Sequence, residues 1–203
     1  NDSKDGKLGF SFAAIPGGCV QDKITGLMWE VKTADGGLRD WRNTYSNFDK
    51  ATVPQKKLEV PEGETGPSRG LYENPTQADI DTPTNSIGFV NAVNSQALCG
   101  FNDWRMPTHE ELKTILDYGT TGLSSSVDVT AFPNTQPDIY WTASANGGHP
   151  QNARGVSFGT ACSTDLYRRS VHRYVRVVRS FTKPSDKGYR LTKKSNPQLH
   201  AAL

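Results

Sequence analysis

Three cysteines are too few for a disulfide scaffold, and the odd number leaves at least one outside any intrachain pair. Cys19, Cys99 and Cys162 lie far apart, which excludes a zinc ribbon and a thioredoxin-type motif. No apolar run approaches the roughly 20 residues that span a bilayer, so no transmembrane segment is expected. The chain opens Asn1-Asp2-Ser3-Lys4-Asp5, without the charged-then-apolar pattern of an export signal, which implies a cytoplasmic protein or a mature chain already cleaved. The four histidines, His109, His149, His172 and His200, show no metal-ligand spacing. His109 precedes Glu110-Glu111 without a second histidine four residues on. A Gly-x-Ser-x-Gly elbow and a phosphate-binding loop are both missing. Asp35, Asp40 and Asp49 are oxygen donors for calcium, but no EF-hand-like pattern joins them. These absences point away from an enzyme, a cofactor and a metal centre, and no nucleic-acid-binding motif is present either.

What remains is a polar, turn-dense chain. Its 203 residues suffice for one large domain or two small ones with a real core. Hydrophobic residues make up 34 % and mean hydropathy is -0.61, with 19 Gly and 12 Pro. The net charge of +2 conceals an asymmetry: residues 150–203 hold 11 Lys and Arg against 2 acids, and residues 1–149 hold 12 against 19. Either a basic face meets a polyanion, or the basic end lies against the acidic part of the same protein.

The element pattern is α+β. Phe10–Ala13 alternates as a short strand, and Leu27–Val31 is a second with Leu27, Trp29 and Val31 on one face. Residues 34–84 form a long excursion broken by glycine and proline, read as a packed Ω-like loop or a functional one. A helix follows, capped by Thr84 or Asn85, with an apolar stripe of Ile87, Val90, Val93, Ala97 and Leu98 and an end at Cys99-Gly100. Thr108 and Glu111 make a capping box for a second helix running to about Tyr118, closed by Gly119. Four strands are expected at 139–143, 155–159, 166–169 and 173–179, the last being the clearest. The result is two helices plus a mostly antiparallel, loop-rich sheet within residues 1–180, followed by a basic extension over 181–203. Trp29, Trp104 and Trp141 are assigned to the core, and Arg105 to a hydrogen-bond network with backbone carbonyls or a carboxylate.

Three blocks carry a resemblance. They are Cys19–Glu30 continued by Gly37–Asp40 and Asn43–Tyr45; Leu98–Gly100, Asp103–Thr108 and Glu111-Leu112; and Phe132–Thr135, Tyr140–Ser144 and Tyr174–Arg179. In order and spacing the chain resembles the Lcl C-terminal domain family, named for the C-terminal domain of a Legionella collagen-like adhesin. The resemblance implies a C-type-lectin-like fold akin to the formylglycine-generating-enzyme branch, on exported or surface-anchored bacterial proteins. The best-known member of the family binds sulfated glycosaminoglycans and is trimeric, which makes an adhesion module the expectation. The chain departs from this pattern in lacking a collagen-like repeat and in carrying the basic tail after Arg179. Formylglycine chemistry needs two reactive cysteines near the C-terminus, where this chain has only Cys162. Cys19 and Cys99 fall in two of the blocks, and an exported location makes a disulfide between them plausible, with two buried thiols as the alternative. Cys162 is then the free thiol.

The expected ligand-binding residues are Arg154, Tyr167, Arg168, Arg169, His172 and Arg173, around the turns of the C-terminal strands. Arginine's planar fork suits sulfate and carboxylate, and Tyr167 and Tyr174 add stacking surfaces for sugar rings. Solvated strand edges are the alternative reading of the same charges. The expected partners are an acidic glycan or a protein ligand, with self-association as a trimer or polymer. The expected location is the cell surface, the medium or the periplasm.

Overall fold

A computed structural model describes residues 9–49, 53–57, 72–118, 126–146, 148–159 and 164–181. The chain folds as α+β with mostly antiparallel strands. β1 (Phe12–Ile15), β2 (Cys19–Asp22), β3 (Leu27–Glu30), β4 (Lys56–Lys57) and β5 (Tyr72–Glu73) precede α1 (Gln77–Asp81) and α2 (Ser86–Ser95). Then come α3 (His109–Lys113), β6 (Ile139–Ala145), β7 (Asn152–Ser157), β8 (Thr164–Arg168) and β9 (Val178–Ser180). One sheet has the order β1-β2-β3-β9, another β6-β7-β8, and β4-β5 is a separate ribbon.

Two apolar clusters fill the space around these sheets. One gathers Val20, Leu27, Trp29, Phe132, Tyr140 and Val178, the other Met28, Phe89, Val93, Trp104, Trp141 and Val175. Successive strand residues point to opposite faces, so β3 sends Leu27 and Trp29 into the first cluster and Met28 into the second. Every residue of β3 is accordingly buried. The three assigned tryptophans are core residues, none more than 2 % exposed.

The Cys19–Cys99 disulfide ties the start of β2 to the turn that follows α2. Gly17, at φ +98°, packs directly on Cys99: a Cβ there would lie 3.3 Å from the sulfur. Cys162 and Gly119 lie outside the described residues, as does the 181–203 extension except Phe181. Phe181 donates its backbone N–H to Gly26 and packs on the second cluster.

The structure corrects several expectations. There are three α-helices among the described residues, not two. The extra one, α1, is a five-residue turn with a complete capping box between Thr76 and Asp79, too short to show a helical period. Asn85 occupies the N-cap position of α2 but does not cap it. Its amide instead holds the Phe48 N–H, the Phe48 carbonyl and the Ile80 carbonyl, pinning the excursion to the helix. The stripe on α2 is also displaced: Phe89 and Val93 are fully buried, whereas Ile87 and Val90 are only half-buried. α2 stops at Ser95, before Ala97 (φ 48°) and Cys99 (φ 54°) turn left-handed. α3 ends at Lys113, not near Tyr118. The strand expected at 173–179 is laddered only from Val178, because Arg173 and Tyr174 bridge singly to Tyr45 and Tyr140 on different elements.

Buried tyrosines set the alkaline limit of this fold. Burial pushes the Tyr140 phenol up to about 12 from an ordinary 10.0, and burial likewise raises Tyr45. A folded-state value above the unfolded one means stability that is complete below pH about 10 and is lost as pH rises toward about 12. A phenolate absorbance titration is expected to show the exposed tyrosines ionising first, and a later step coinciding with loss of near-ultraviolet dichroism.

Candidate ligand-binding face

β7 and β8 carry half of the expected site, Arg154, Tyr167 and Arg168, and the segment after β8 carries Arg169, His172 and Arg173. In their register Asn152 faces Arg168, Ala153 faces Tyr167, and Arg154 faces Leu166. Opposed residues share a face, and neighbours along a strand alternate. Arg154, Leu166 and Arg168 therefore lie on one side of the ribbon and Tyr167 on the other. Tyr167 can lie flat there because Gly155 has no side chain: a Cβ would sit 3.3 Å from its ring. The ring meets Trp141 edge-on at 6.1 Å and carries the Arg173 guanidinium at 4.9 Å. Arg168, on the opposite side, lies over the Tyr72 ring at 4.5 Å. Tyr72, from β5 in the long excursion, is a partner that sequence reading missed.

The two sides meet at the turn after β8, where the Val171 N–H bonds the Arg168 carbonyl. Arg168 and His172 are exposed, and Arg154, Tyr167 and Arg173 are half-buried. Arg169 differs from the expectation that grouped it with the ligand contacts. It is 5 % exposed. Its Nε donates to the Pro150 carbonyl, its Nη1 donates to the Asn47 carbonyl, and its Nη2 lies 2.8 Å from the Asp49 carboxylate. With its donors engaged inward, Arg169 anchors the turn to the excursion. Arg176 and Arg179 are buried too: the first donates to the Glu30 carbonyl and Thr135, the second to Asp103. Part of the basic asymmetry is thus internal. By contrast, no ion pair joins Arg154, Arg168 or Arg173 to a carboxylate among the described residues.

The calcium candidates have other work. Asp35 accepts from Thr33 and the Gly37 N–H, and Asp40 from the Gly36 and Arg42 N–H groups, shaping one loop. The Gly37 and Thr33 hydrogen bonds hold the Asp35 carboxyl below its ordinary value, and those from Arg42 and Gly36 do the same for Asp40. Among the described residues no group of three or more His, Cys, Asp or Glu side chains converges. No helix among them is long and apolar enough to cross a membrane.

A cavity of about 310 Å3 opens beside this face, between α2 and β6. Ile87 and Val90 line it, which explains why both are only half-buried although Val90 also packs against the second cluster. On the β6 side it meets Ala143 and Ala145, next to an irregularity in the β6–β7 register between Trp141 and Ala145. Arg105 stands at its edge in a bidentate pair with Glu111, at 2.7 and 2.5 Å, while also donating to the Met106 carbonyl. The carbonyl and carboxylate network expected of Arg105 is the one found. The periodicity of α2 marked Ile87 and Val90 as apolar but carried no sign of a cavity.

No curated protein and no solved structure matches the chain. The arrangement of a disulfide-tied β2–α2 junction, an Arg105–Glu111 network and a C-terminal ribbon on buried arginines is the setting of all three sequence blocks described above. The family model of the Lcl C-terminal domain matches residues 18–179, and the chain belongs to that family.

Proposed function

We propose that this protein is an exported or surface-associated, non-enzymatic binding module with a C-type-lectin-like fold, and that it takes acidic, sulfated glycans at the β7–β8 rim. Arg154, Arg168 and Arg173 are the charged contacts, His172 a polar contact, Tyr167 a stacking surface, and Arg169 the anchor beneath them. One observation carries the reading: the rim guanidinium groups of Arg168 and Arg173 are braced on aromatic rings and have no carboxylate partner among the described residues. A guanidinium braced on a ring keeps its edge donors and its charge available to an anion. Family membership in an adhesin-associated domain supports a surface role, and the Cys19–Cys99 disulfide suits an oxidising compartment.

A second reading, docking of an acidic protein or a second copy to give a trimer or polymer, draws on Leu166 and Val171. These apolar side chains are 39 % and 37 % exposed on the same rim. Heparin chromatography separates the two. The glycan reading expects retention that disappears between about 0.05 and 0.5 M salt as exposed charges are screened. It also expects a large loss of retention in Arg168→Ala. Passage through the column at low salt, with a concentration-dependent rise in mass by sedimentation, would favour self-assembly.

A further inference from the structure

The β4–β5 ribbon of the long excursion stands against the β7–β8 rim, and a run of polar contacts holds it there. Arg169, just after β8, pairs with Asp49 at 2.8 Å. Asp49 accepts from the Gln55 side-chain amide at 2.7 Å, and the Gln55 amide oxygen takes the Asp49 N–H in return. Gln55 is 1 % exposed, and its backbone N–H donates to the Glu73 carbonyl of β5. The rim turn and the ribbon are thus bonded together, and the contact of Tyr72 with Arg168 follows from that mounting.

The two lysines of β4 do different work. Neighbours along a strand alternate between faces, and directly opposed residues share one. Lys56 is opposed to Glu73 and pairs with both Glu73 and Asp79, so its charge is matched within the protein. Lys57 lies on the other face, opposed to Tyr72. It is exposed and in no ion pair among the described residues. The Tyr72 ring in turn carries the Arg168 guanidinium at 4.5 Å. Lys57, Tyr72 and Arg168 therefore follow one another across the junction of ribbon and rim. Directly opposed residues have Cβ atoms about 5 Å apart, so both cations stand within reach of one ligand chain. A lone anion needs only Arg168, whereas two cations in succession suit a chain with successive anionic groups. We propose that the β4–β5 ribbon is the second wall of the glycan site, where Lys57 and Arg168 take successive anionic groups of one linear chain across the Tyr72 ring. The inference rests on the glycan reading above and deepens it: the ligand is an extended polyanion that crosses from rim to ribbon, not a single sulfated sugar.

Calorimetric titration of a heparin octasaccharide into the full chain, over a salt series, tests this. Lys57→Gln is expected to weaken binding about threefold to tenfold, the loss of one exposed charged contact. It should also flatten the slope of log affinity against log salt by about one unit, since one ion contact is gone. Lys57 is exposed, so its replacement leaves the fold intact. Lys23→Gln makes the same charge change in the turn between β2 and β3, which supplies no rim or ribbon residue. That control should shift affinity less than about twofold, because a charge away from the contact is screened. Tyr72→Leu removes the ring beneath Arg168 and should weaken binding several-fold, whereas Tyr72→Phe keeps the ring and should bind as the native protein does. Equal affinities and equal salt slopes for Lys57→Gln and Lys23→Gln would overturn the inference. Arg168→Ala, titrated alongside, keeps the two readings apart. Weaker binding by Arg168→Ala but not by Lys57→Gln means that the rim stands and the ribbon wall falls. Undiminished binding by Arg168→Ala, or none by the native chain, removes the glycan reading and this inference with it.

Discussion

Replacing Cys19 and Cys99 together by alanine is expected to lower the unfolding free energy by about 4.5 kcal/mol. The estimate follows from loop closure: a crosslink removes entropy from the unfolded chain that grows with the logarithm of the loop it closes. Here the half-cystines are 80 residues apart, so the loop takes in β3, the whole excursion and α2. The bond joins β2 to the left-handed turn at Ala97–Gly100, which has no regular secondary structure beyond a single 3-10 turn to hold it. Urea denaturation with and without a thiol reductant checks this. A difference below about 1 kcal/mol would mean that the unfolded chain is already constrained without the bond.

Glu30→Ala is the second large effect, with an expected loss of about 3–5 kcal/mol, the range for breaking a buried ion pair by removing one partner. The Glu30 and Lys32 side chains are 0 % and 3 % exposed, with 2.9 Å between Nζ and Oε1. At that distance Glu30 is both the counter-charge and the hydrogen-bond acceptor of the buried ammonium. Lys32 lies over the Phe89 ring at 4.5 Å, in the second apolar cluster. Burial lowers its ammonium from the ordinary lysine value, opposed by Glu30. Without Glu30 that ammonium is buried alone, and the Val177 N–H loses its acceptor on Oε2. The double change Glu30→Gln with Lys32→Met keeps an acceptor and removes both charges, and should fall within about 1 kcal/mol of the native protein. Equal losses in the single and double variants would show that the cost is one of shape and not of charge.

These two pairs show where the sequence was legible and where it was not. Local signals were readable: the Thr108–Glu111 capping box is present as expected, and Trp29, Trp104 and Trp141 are core. The disulfide was read only through the family blocks, since nothing in the spacing of three cysteines singles out one pair. Charge was the harder signal. Arg169 was grouped with the ligand contacts, and Arg176 and Arg179 counted toward the basic C-terminal part of the chain, yet their partners lie far along the chain. Arg176 reaches the Glu30 carbonyl 146 residues away, and Arg169 the Asn47 carbonyl 122 residues away. An arginine on a strand reads the same from sequence whether it faces water or a distant carbonyl. Ile87 and Val90 failed for a similar reason: spacings of three and four mark an apolar helix face but cannot say whether a core or a cavity meets it. α1 was too short for any period, and Tyr72 sat in a stretch without periodicity.

The central claim is that the free guanidinium groups of the β7–β8 rim attract an acidic glycan. Calorimetric titration of a heparin oligosaccharide into the native protein and into Arg154→Glu with Arg168→Glu tests it most directly, with thermal unfolding run alongside. Arg154 and Arg168 share one side of the ribbon and neither is in an ion pair among the described residues, so reversing them should leave the fold intact. The account predicts salt-sensitive binding by the native chain and none by the variant, with a melting temperature lowered by no more than the few degrees that loss of the Arg168 contact with the Tyr72 ring costs. Equal binding by the two proteins would contradict it.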